Sequence, residues 1–235
     1  MPAQRKPEIS IVVPVYQNGP QLAECIVEIE KFFTAKNLAY EIICVDDCSP
    51  LAIELPAAAK AARLLRLPAN VGQQKAIAIG LNAAAADIAV TTDADLPILP
   101  ADFMRLVEAL RSDAQLDLAL GAREGYSHSS PVRALGSWAV SCIIRLLFRF
   151  RLRDFGCGTN AVRKVLVIRH AESKLPASPI KLAMVSLSNG YTEIALPTRP
   201  QRQARSTYNI WRLAALTLGI FWFRLRAATH LRHYK

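Results

Sequence analysis

The first apolar run, Ile9–Val15 (ISIVVPV), is short, β-branched and preceded by a polar stretch, which predicts a buried strand. Leu22, Ile26, Ile29 and Phe33 then recur at helical spacing. Ile42–Val45 reads as a second strand, cut off by the turn-forming DDCSP. The Ala-rich stretch Ala57–Leu67 and the segment Lys75–Ala86 predict helices. Ile88–Thr92 predicts a third strand, Phe103–Leu110 a helix and Leu116–Gly121 a fourth strand. This alternation predicts an α/β fold with a mostly parallel sheet and helices on both faces. Ligands in such sheets bind beyond the carboxyl ends of the strands. Three polar clusters sit at those ends: Tyr16–Asn18, Asp46–Asp47 and Asp93–Asp95.

The second half of the chain has a different pattern. Val132–Arg153 is long, apolar and basic, with Leu135, Trp138, Ala139, Cys142, Leu146 and Phe150 near helical spacing. Its arginines, Arg145, Arg149, Arg151 and Arg153, gather toward the C-terminal end. An amphipathic interfacial helix is one reading, and a core helix with a solvated face is the other. The segment from Asn209 to Lys235 repeats the theme. Its longest apolar stretch, Leu213–Phe223, spans about 16 Å as a helix, roughly half a bilayer core. It could lie in an interface but could not cross one alone.

Charge sharpens the division. The 235-residue chain carries a formal net charge of +10. Residues 1–122 hold 10 Lys and Arg against 15 Asp and Glu, a net of −5. Residues 123–235 hold 19 against 4, a net of +15. A polyanionic partner is expected to meet the second half: nucleic acid, a phosphorylated substrate or an anionic membrane. Hydrophobic residues make up 52% of the chain, enough to bury a sizeable core and to exclude a disordered polyelectrolyte. Five irregularly spaced cysteines without a CxxC pair suit a reducing compartment and make a zinc site unexpected. The first ten residues have no apolar run, so a signal peptide is not expected. His128, His170, His230 and His233 are scattered and read as surface residues.

The sharpest chemical signal is Asp93-Ala94-Asp95, directly after the strand IAVTT. Two carboxylates flanking a small residue suit a hard divalent cation, Mg²⁺ or Mn²⁺, held against a diphosphate. The alternative is an acidic cap for the helix at Phe103. Asp46-Asp47-Cys48-Ser49 could accept from a nucleobase N–H, or could be an Asx turn without a ligand.

Taken in order, PVYQN, VDDCSP, ANVGQQKAIAIGLNAA and TTDADL resemble the family 2 glycosyltransferases of GT-A fold. The third segment is closest to the subgroup acting on polyisoprenyl phosphates, such as dolichyl-phosphate mannose synthases and bacterial undecaprenyl-phosphate sugar transferases of cell-envelope biosynthesis. Gly121-Ala122-Arg123, Arg133 with Ser137, Asp154–Gly158 with Arg163, and Arg205–Tyr208 resemble later motifs of that subgroup. The likeness covers about residues 9–220. It implies a GT-A domain over 1–210, including an acceptor-side helix at 132–153, and a basic amphipathic tail over 211–235. Pro14, Tyr16, Asp47 and Asn70 would bind the nucleoside of a UDP- or GDP-linked donor. Asp93 and Asp95 would hold the metal, and Asp95 would also approach the donor sugar. Arg123, Arg133 and Ser137 would meet the acceptor phosphate, and Arg202, Arg205 and Ser206 would close over the phosphates.

This chain departs from the pattern at several positions. Pro97 stands where a Gln is usual after DADL, and Pro100-Ala101 where Pro-Glu often follows. Gln17 replaces the Asn of PVYN and Asn18 the acid after it, while Ala204 and Thr207 replace the Gly and Lys of G-x-S-K-Y. The expected reaction is in-line displacement at the anomeric carbon with inversion. Hydroxyl acceptors need a general base, commonly the Asp of a Glu-Asp pair in this family, and the chain contains no Glu-Asp dipeptide. A phosphate acceptor is already ionised, so a polyprenyl phosphate at an anionic membrane surface is the leading acceptor. Asp154 would be either a catalytic base or the partner of Arg153 or Arg163 in an ion pair. Two alternatives remain at this point: a hydroxyl acceptor, and a degenerate binding module motivated by Pro97. Nucleic acid is not expected, because the basic helices are apolar on their other faces. The expected location is cytoplasmic, peripheral at the inner face of the cell membrane, and either a membrane-protein partner or a homo-oligomer is compatible with it.

Overall fold

In the computed structural model, residues 6–124, 131–148, 150, 152–173, 175–199 and 210–230 are described. Strand β1 (Ile9–Val15) sorts the core into two layers. Ile9, Ile11, Val13 and Val15 pack on one side of the sheet, with α1 (Gly19–Ala35) and α3 (Pro100–Ser112). Val12 packs on the other side, with α2 (Gln73–Ala83). Period-two alternation produces that split. On the second side α2 lies very close to the sheet. A Cβ at Gly80 would overlap Val12 Cγ1 and come within 2.9 Å of Val45 Cγ2.

β1 pairs in parallel with β2 (Tyr40–Asp46) and with β4 (Ile88–Thr91), and β3 (Ala62–Arg66) pairs in parallel with β2. β6 (Asn160–Arg163) runs antiparallel between β4 and β5 (Leu118–Glu124). β7 (Tyr191–Pro197) lies parallel to β5. The seven-stranded sheet has the order β3-β2-β1-β4-β6-β5-β7. The expectation of a mostly parallel α/β sheet therefore holds. The remaining helices are α4 (Pro131–Phe148), α5 (Lys164–Glu172), α6 (Ile180–Leu187) and α7 (Ile210–His230).

Three expectations are corrected. Ala57–Leu67 is not a helix: Ala62–Arg66 is β3, and its parallel pairing to β2 overrides alanine propensity. The basic helix stops at Phe148 rather than at Arg153. The backbone N–H of Arg153 instead donates to the Glu193 carboxylate of β7, at 2.9 and 3.0 Å. His170 is buried on α5 rather than on the surface, and burial pushes its imidazole pKa down.

α7 has two apolar faces. Ile220, Phe223 and Ala227 are fully buried in the cluster that includes Val140 and Ile144 of α4. The Phe148 and Phe223 rings lie 5.9 Å apart, and Arg224 Nε donates to the Leu147 carbonyl at 3.0 Å. Leu218, Phe221, Trp222 and Leu225 are exposed, as is Leu146 on α4. Arg226 lies over the Trp222 ring. Among the described residues, no helix is long and apolar enough to cross a membrane.

Candidate active site

The carboxyl ends of β1, β2 and β4 open into one cavity of about 660 Å³, lined in part by Pro14, Tyr16, Asp47, Asp93 and Asp95. The loops that shape it are strained. Gln17, Cys48 and Leu96 all adopt left-handed backbone conformations, with φ of 62°, 61° and 47°, one after each of these strands.

On the β1–β2 side, the Asp47 N–H donates to the Val15 carbonyl at 2.9 Å and Gln17 N–H to Ser49 Oγ at 3.0 Å. The Asp47 carboxylate accepts from the backbone N–H groups of Val71 and Gly72, at 2.7 and 2.8 Å. Asn70 donates its side-chain amide to the Asp47 carbonyl at 3.1 Å. Asn70 thus holds the Asp47 loop, while Asp47 itself lines the cavity.

On the β4 side, Gln73 Nε2 donates to Asp93 Oδ1 at 2.8 Å. Gly158, just before β6, lies directly against the Asp93 carboxylate: a Cβ there would overlap Oδ2. Burial and the neighbouring Asp95 raise the Asp93 pKa to about 6. A cation between the two carboxylates would remove that penalty, so the donor set fits a hard divalent ion. Among the described residues, no group of three or more His, Cys, Asp or Glu is placed to hold a metal. After the second carboxylate the Pro97 carbonyl accepts from the Arg199 N–H at 3.1 Å, and Arg199 is ion-paired to Glu28 of α1.

Beyond the carboxylates, Arg123 and Asp154 form a two-point ion pair: Nε to Oδ2 at 2.7 Å and Nη2 to Oδ1 at 2.9 Å. Asp154 is therefore partnered by Arg123, not by Arg153 or Arg163, and Arg163 instead donates to the Leu116 carbonyl at 2.8 Å. Burial pushes the Asp154 carboxyl upward, but the Arg123 guanidinium more than offsets it and holds the pKa below the usual range. Lys181, at the start of α6, donates to the carbonyls of Asp154 and Cys157 at 3.1 and 2.9 Å. Arg133 and Ser137 fall on α4, with side chains outside the described set, and Arg202, Arg205 and Ser206 lie outside the described residues altogether. Sequence reasoning missed Gln73, Gly158, Asn160 and Lys181 as cavity residues. Gln73 and Gly158 fall within segments of the resemblance, whereas nothing in the sequence marks Asn160 or Lys181.

A doubly covered, mostly parallel sheet with a carboxylate pair beyond the carboxyl end of a central strand is the architecture of the GT-A class of fold. The architecture is similar to that of mannosyl-3-phosphoglycerate synthase from Rubrobacter xylanophilus, with a TM-score of 0.68, 14% identity and coverage of 96% of this chain and 74% of that one. It is also similar to glucosyl-3-phosphoglycerate synthase from Mycobacterium tuberculosis, solved with Mn²⁺, UDP and glucosyl-3-phosphoglycerate, with a TM-score of 0.66, 17% identity and coverage of 94% and 79%. The chain belongs to glycosyl transferase family 2, whose profile matches residues 10–170. It is 25% identical to dodecaprenyl-phosphate galacturonate synthase of Rhizobium johnstonii, over 94% of this chain and 68% of that protein. It is 30% identical to undecaprenyl-phosphate 4-deoxy-4-formamido-L-arabinose transferase of Erwinia tasmaniensis, over 71% of this chain and 52% of that protein. The chain thus spans about half to two thirds of the length of these curated relatives.

Proposed function

We propose that the chain transfers a sugar, with inversion, from a UDP- or GDP-linked donor to a polyprenyl phosphate at a membrane surface. One observation carries the choice of acceptor. Asp154, the carboxylate that could serve as base, is locked by Arg123 and held ionised well below neutral pH. Such a group is a poor proton acceptor at neutral pH. Asp47 is held by two backbone N–H groups, and Asp93 faces Asp95. An acceptor that arrives already ionised needs no base, and a phosphate does so. The names of the curated relatives, all polyprenyl-phosphate sugar transferases among those compared above, support the same reading.

In this reading Asp93 and Asp95 hold Mg²⁺ or Mn²⁺, which when bound offsets charge on the diphosphate and the departing nucleoside diphosphate. Pro14, Tyr16 and Asp47 seat the nucleoside, and Asn70 braces Asp47. Arg123, oriented by Asp154, meets the acceptor phosphate with Arg133 and Ser137, while Arg202, Arg205 and Ser206 close over the phosphates. Residues 1–210 carry the chemistry. The exposed apolar face of α7, with the basic tail to Lys235, rests on the cytoplasmic leaflet as a peripheral contact.

The test is a donor screen with farnesyl phosphate and either cation, read by product mass. Product from farnesyl phosphate and none from farnesol, lost with EDTA and in Asp95→Ala, is the expected result. Equal transfer to farnesol would overturn the acceptor assignment.

A further inference from the structure

The chain leaving β7 reaches the loop that carries Asp93 and Asp95. In the sheet β7 is separated from β4 by β6 and β5, so strand pairing does not bring the two together. Thr198 Oγ1 donates to the Glu124 carbonyl at the end of β5, at 3.0 Å. One residue on, the Arg199 N–H donates at 3.1 Å to the carbonyl of Pro97, two residues past Asp95. The Arg199 guanidinium also meets both carboxylate oxygens of Glu28 on α1, Nη1 to Oε2 at 2.8 Å and Nη2 to Oε1. This pair is partly shielded, with 24% of the Arg199 side chain and 28% of the Glu28 side chain exposed. A two-point guanidinium–carboxylate bond fixes direction as well as distance. The first residues after β7 are thereby fastened to β5, to the carboxylate loop and to α1.

That loop carries strain. Leu96, between Asp95 and Pro97, is fully buried and has a φ of 47°, a conformation that leucine rarely adopts. Such a conformation persists only where its surroundings over-determine it. Inside the loop the Leu96 N–H donates to the Asp93 carbonyl at 2.9 Å. Pro97 has no N–H and no polar side chain, so its carbonyl is the polar group it offers for a hold from outside. The two carboxylates are held differently. Asp93 is fixed from the α2 and β6 side, by Gln73 and by contact with Gly158. Asp95 lies toward the strained side, between the Asp93 turn and the Pro97 carbonyl.

Resting on the reading of Asp93 and Asp95 as the divalent-cation site, we propose that Glu28 and Arg199 are positioning residues for that site. They fix the Pro97 carbonyl and, through the backbone, the place of Asp95. Neither side chain lines the cavity.

Mn²⁺ affinity separates positioning from charge. Free Mn²⁺ would be followed by electron paramagnetic resonance at saturating UDP, or GDP where the parent requires it. Through charge alone, Glu28→Arg would weaken cation binding and Arg199→Glu would strengthen it. Positioning predicts that both weaken it, roughly tenfold or more, as loss of the contacts supporting a metal site does. The double variant, Glu28→Arg with Arg199→Glu, rebuilds the pair in reverse and should return to within about threefold of the parent. Should either reversal fail to fold, Glu28→Gln and Arg199→Gln are milder and should each weaken Mn²⁺ binding. The Mn²⁺ concentration for half-maximal turnover should rise in step, with the KM for farnesyl phosphate unchanged. Single variants that lower Tm but keep the parent's Mn²⁺ affinity would overturn the proposal. So would opposite effects of the two reversals, or a folded double variant that is not rescued. A parent that binds no Mn²⁺ with either nucleotide would overturn the metal reading as well.

Discussion

Gly158→Ala is a one-carbon change aimed at the position of Asp93. The added Cβ would sit 2.8 Å from both Cγ and Oδ1 of Asp93, and closer still to Oδ2. Ordinary C···O contacts are about 3.3–3.6 Å, and Oδ2 is the nearest atom, so the carboxylate must retreat by roughly 1 Å. The φ of Gly158 lies outside the left-handed region, so the backbone accepts alanine and the effect is steric. Asp93 is also tied to Gln73 Nε2 at 2.8 Å, and that bond stretches or breaks as the carboxylate moves. Reactive constellations tolerate about 0.5 Å, and a displacement of about 1 Å costs on the order of a hundredfold. The expected loss in kcat/KM is therefore on the order of 100-fold, or about 3 kcal/mol of transition-state stabilisation. Initial rates against donor concentration with Mn²⁺ measure it. Thermal unfolding with and without Mn²⁺ and nucleotide should show that the fold persists while the ligand-induced rise in Tm shrinks. A folded Gly158→Ala protein within threefold of the parent's kcat/KM would refute the argument that the Asp93 position is set by this contact.

Asp154→Ala leaves Arg123, whose side chain is 18% exposed, without its carboxylate, and should cost about 2–3 kcal/mol in denaturant unfolding after allowance for partial solvent access. Because the folded pKa of Asp154 is depressed, its contribution is present above the unfolded value near 4 and is lost as pH falls through the folded value. The stability gap between parent and variant should therefore close on acidification, and a gap unchanged down to about pH 2 would contradict the pairing. Gly80→Ala drives a methyl into Val12 and should lower stability by about 1–3 kcal/mol, visible as a reduced Tm; no change would mean that α2 can lift off the sheet freely. Replacing Leu218, Trp222 and Leu225 together by Ser should weaken co-sedimentation with vesicles containing anionic lipid by roughly tenfold or more. Unchanged binding would remove this face as the membrane contact.

The elements that proved legible were those whose burial is dictated by local pattern. β1, β2 and β4 are β-branched runs ended by polar turns, and α1 and α3 carry clean apolar stripes, so period and punctuation agreed with the tertiary outcome. β3 was misread because ARLLR carries no strand pattern of its own and its register comes from β2. β6 and β7 went unrecognised for a similar reason: NAVR is four residues long, and YTEIALP is held by Glu193 and by pairing to β5 rather than by alternation. In the site, Asp47, Asp93 and Asp95 announced themselves as carboxylates at strand ends. The bracing of Asp47 by Asn70 was not legible as such, since a side-chain amide bonded to a distant carbonyl leaves no trace in spacing. Lys181 was invisible because a lysine at the start of an apolar helix looks solvated until the turn that buries it is built.

The uneven charge of the chain, −5 over residues 1–122 and +15 over residues 123–235, has a consequence beyond its net value. β3, β2, β1 and β4 come from the acidic half and fill one end of the sheet, while β6 and β7, from the basic half, flank β5 at the other. A particle whose charge is divided so unevenly carries a dipole moment as well as a net charge. Near an anionic surface such a particle feels a torque as well as an attraction. Its more basic side is drawn toward the surface before any side chain makes contact. The torque fades within about 8 Å at physiological ionic strength, so it acts on the last step of approach and sets orientation rather than capture distance.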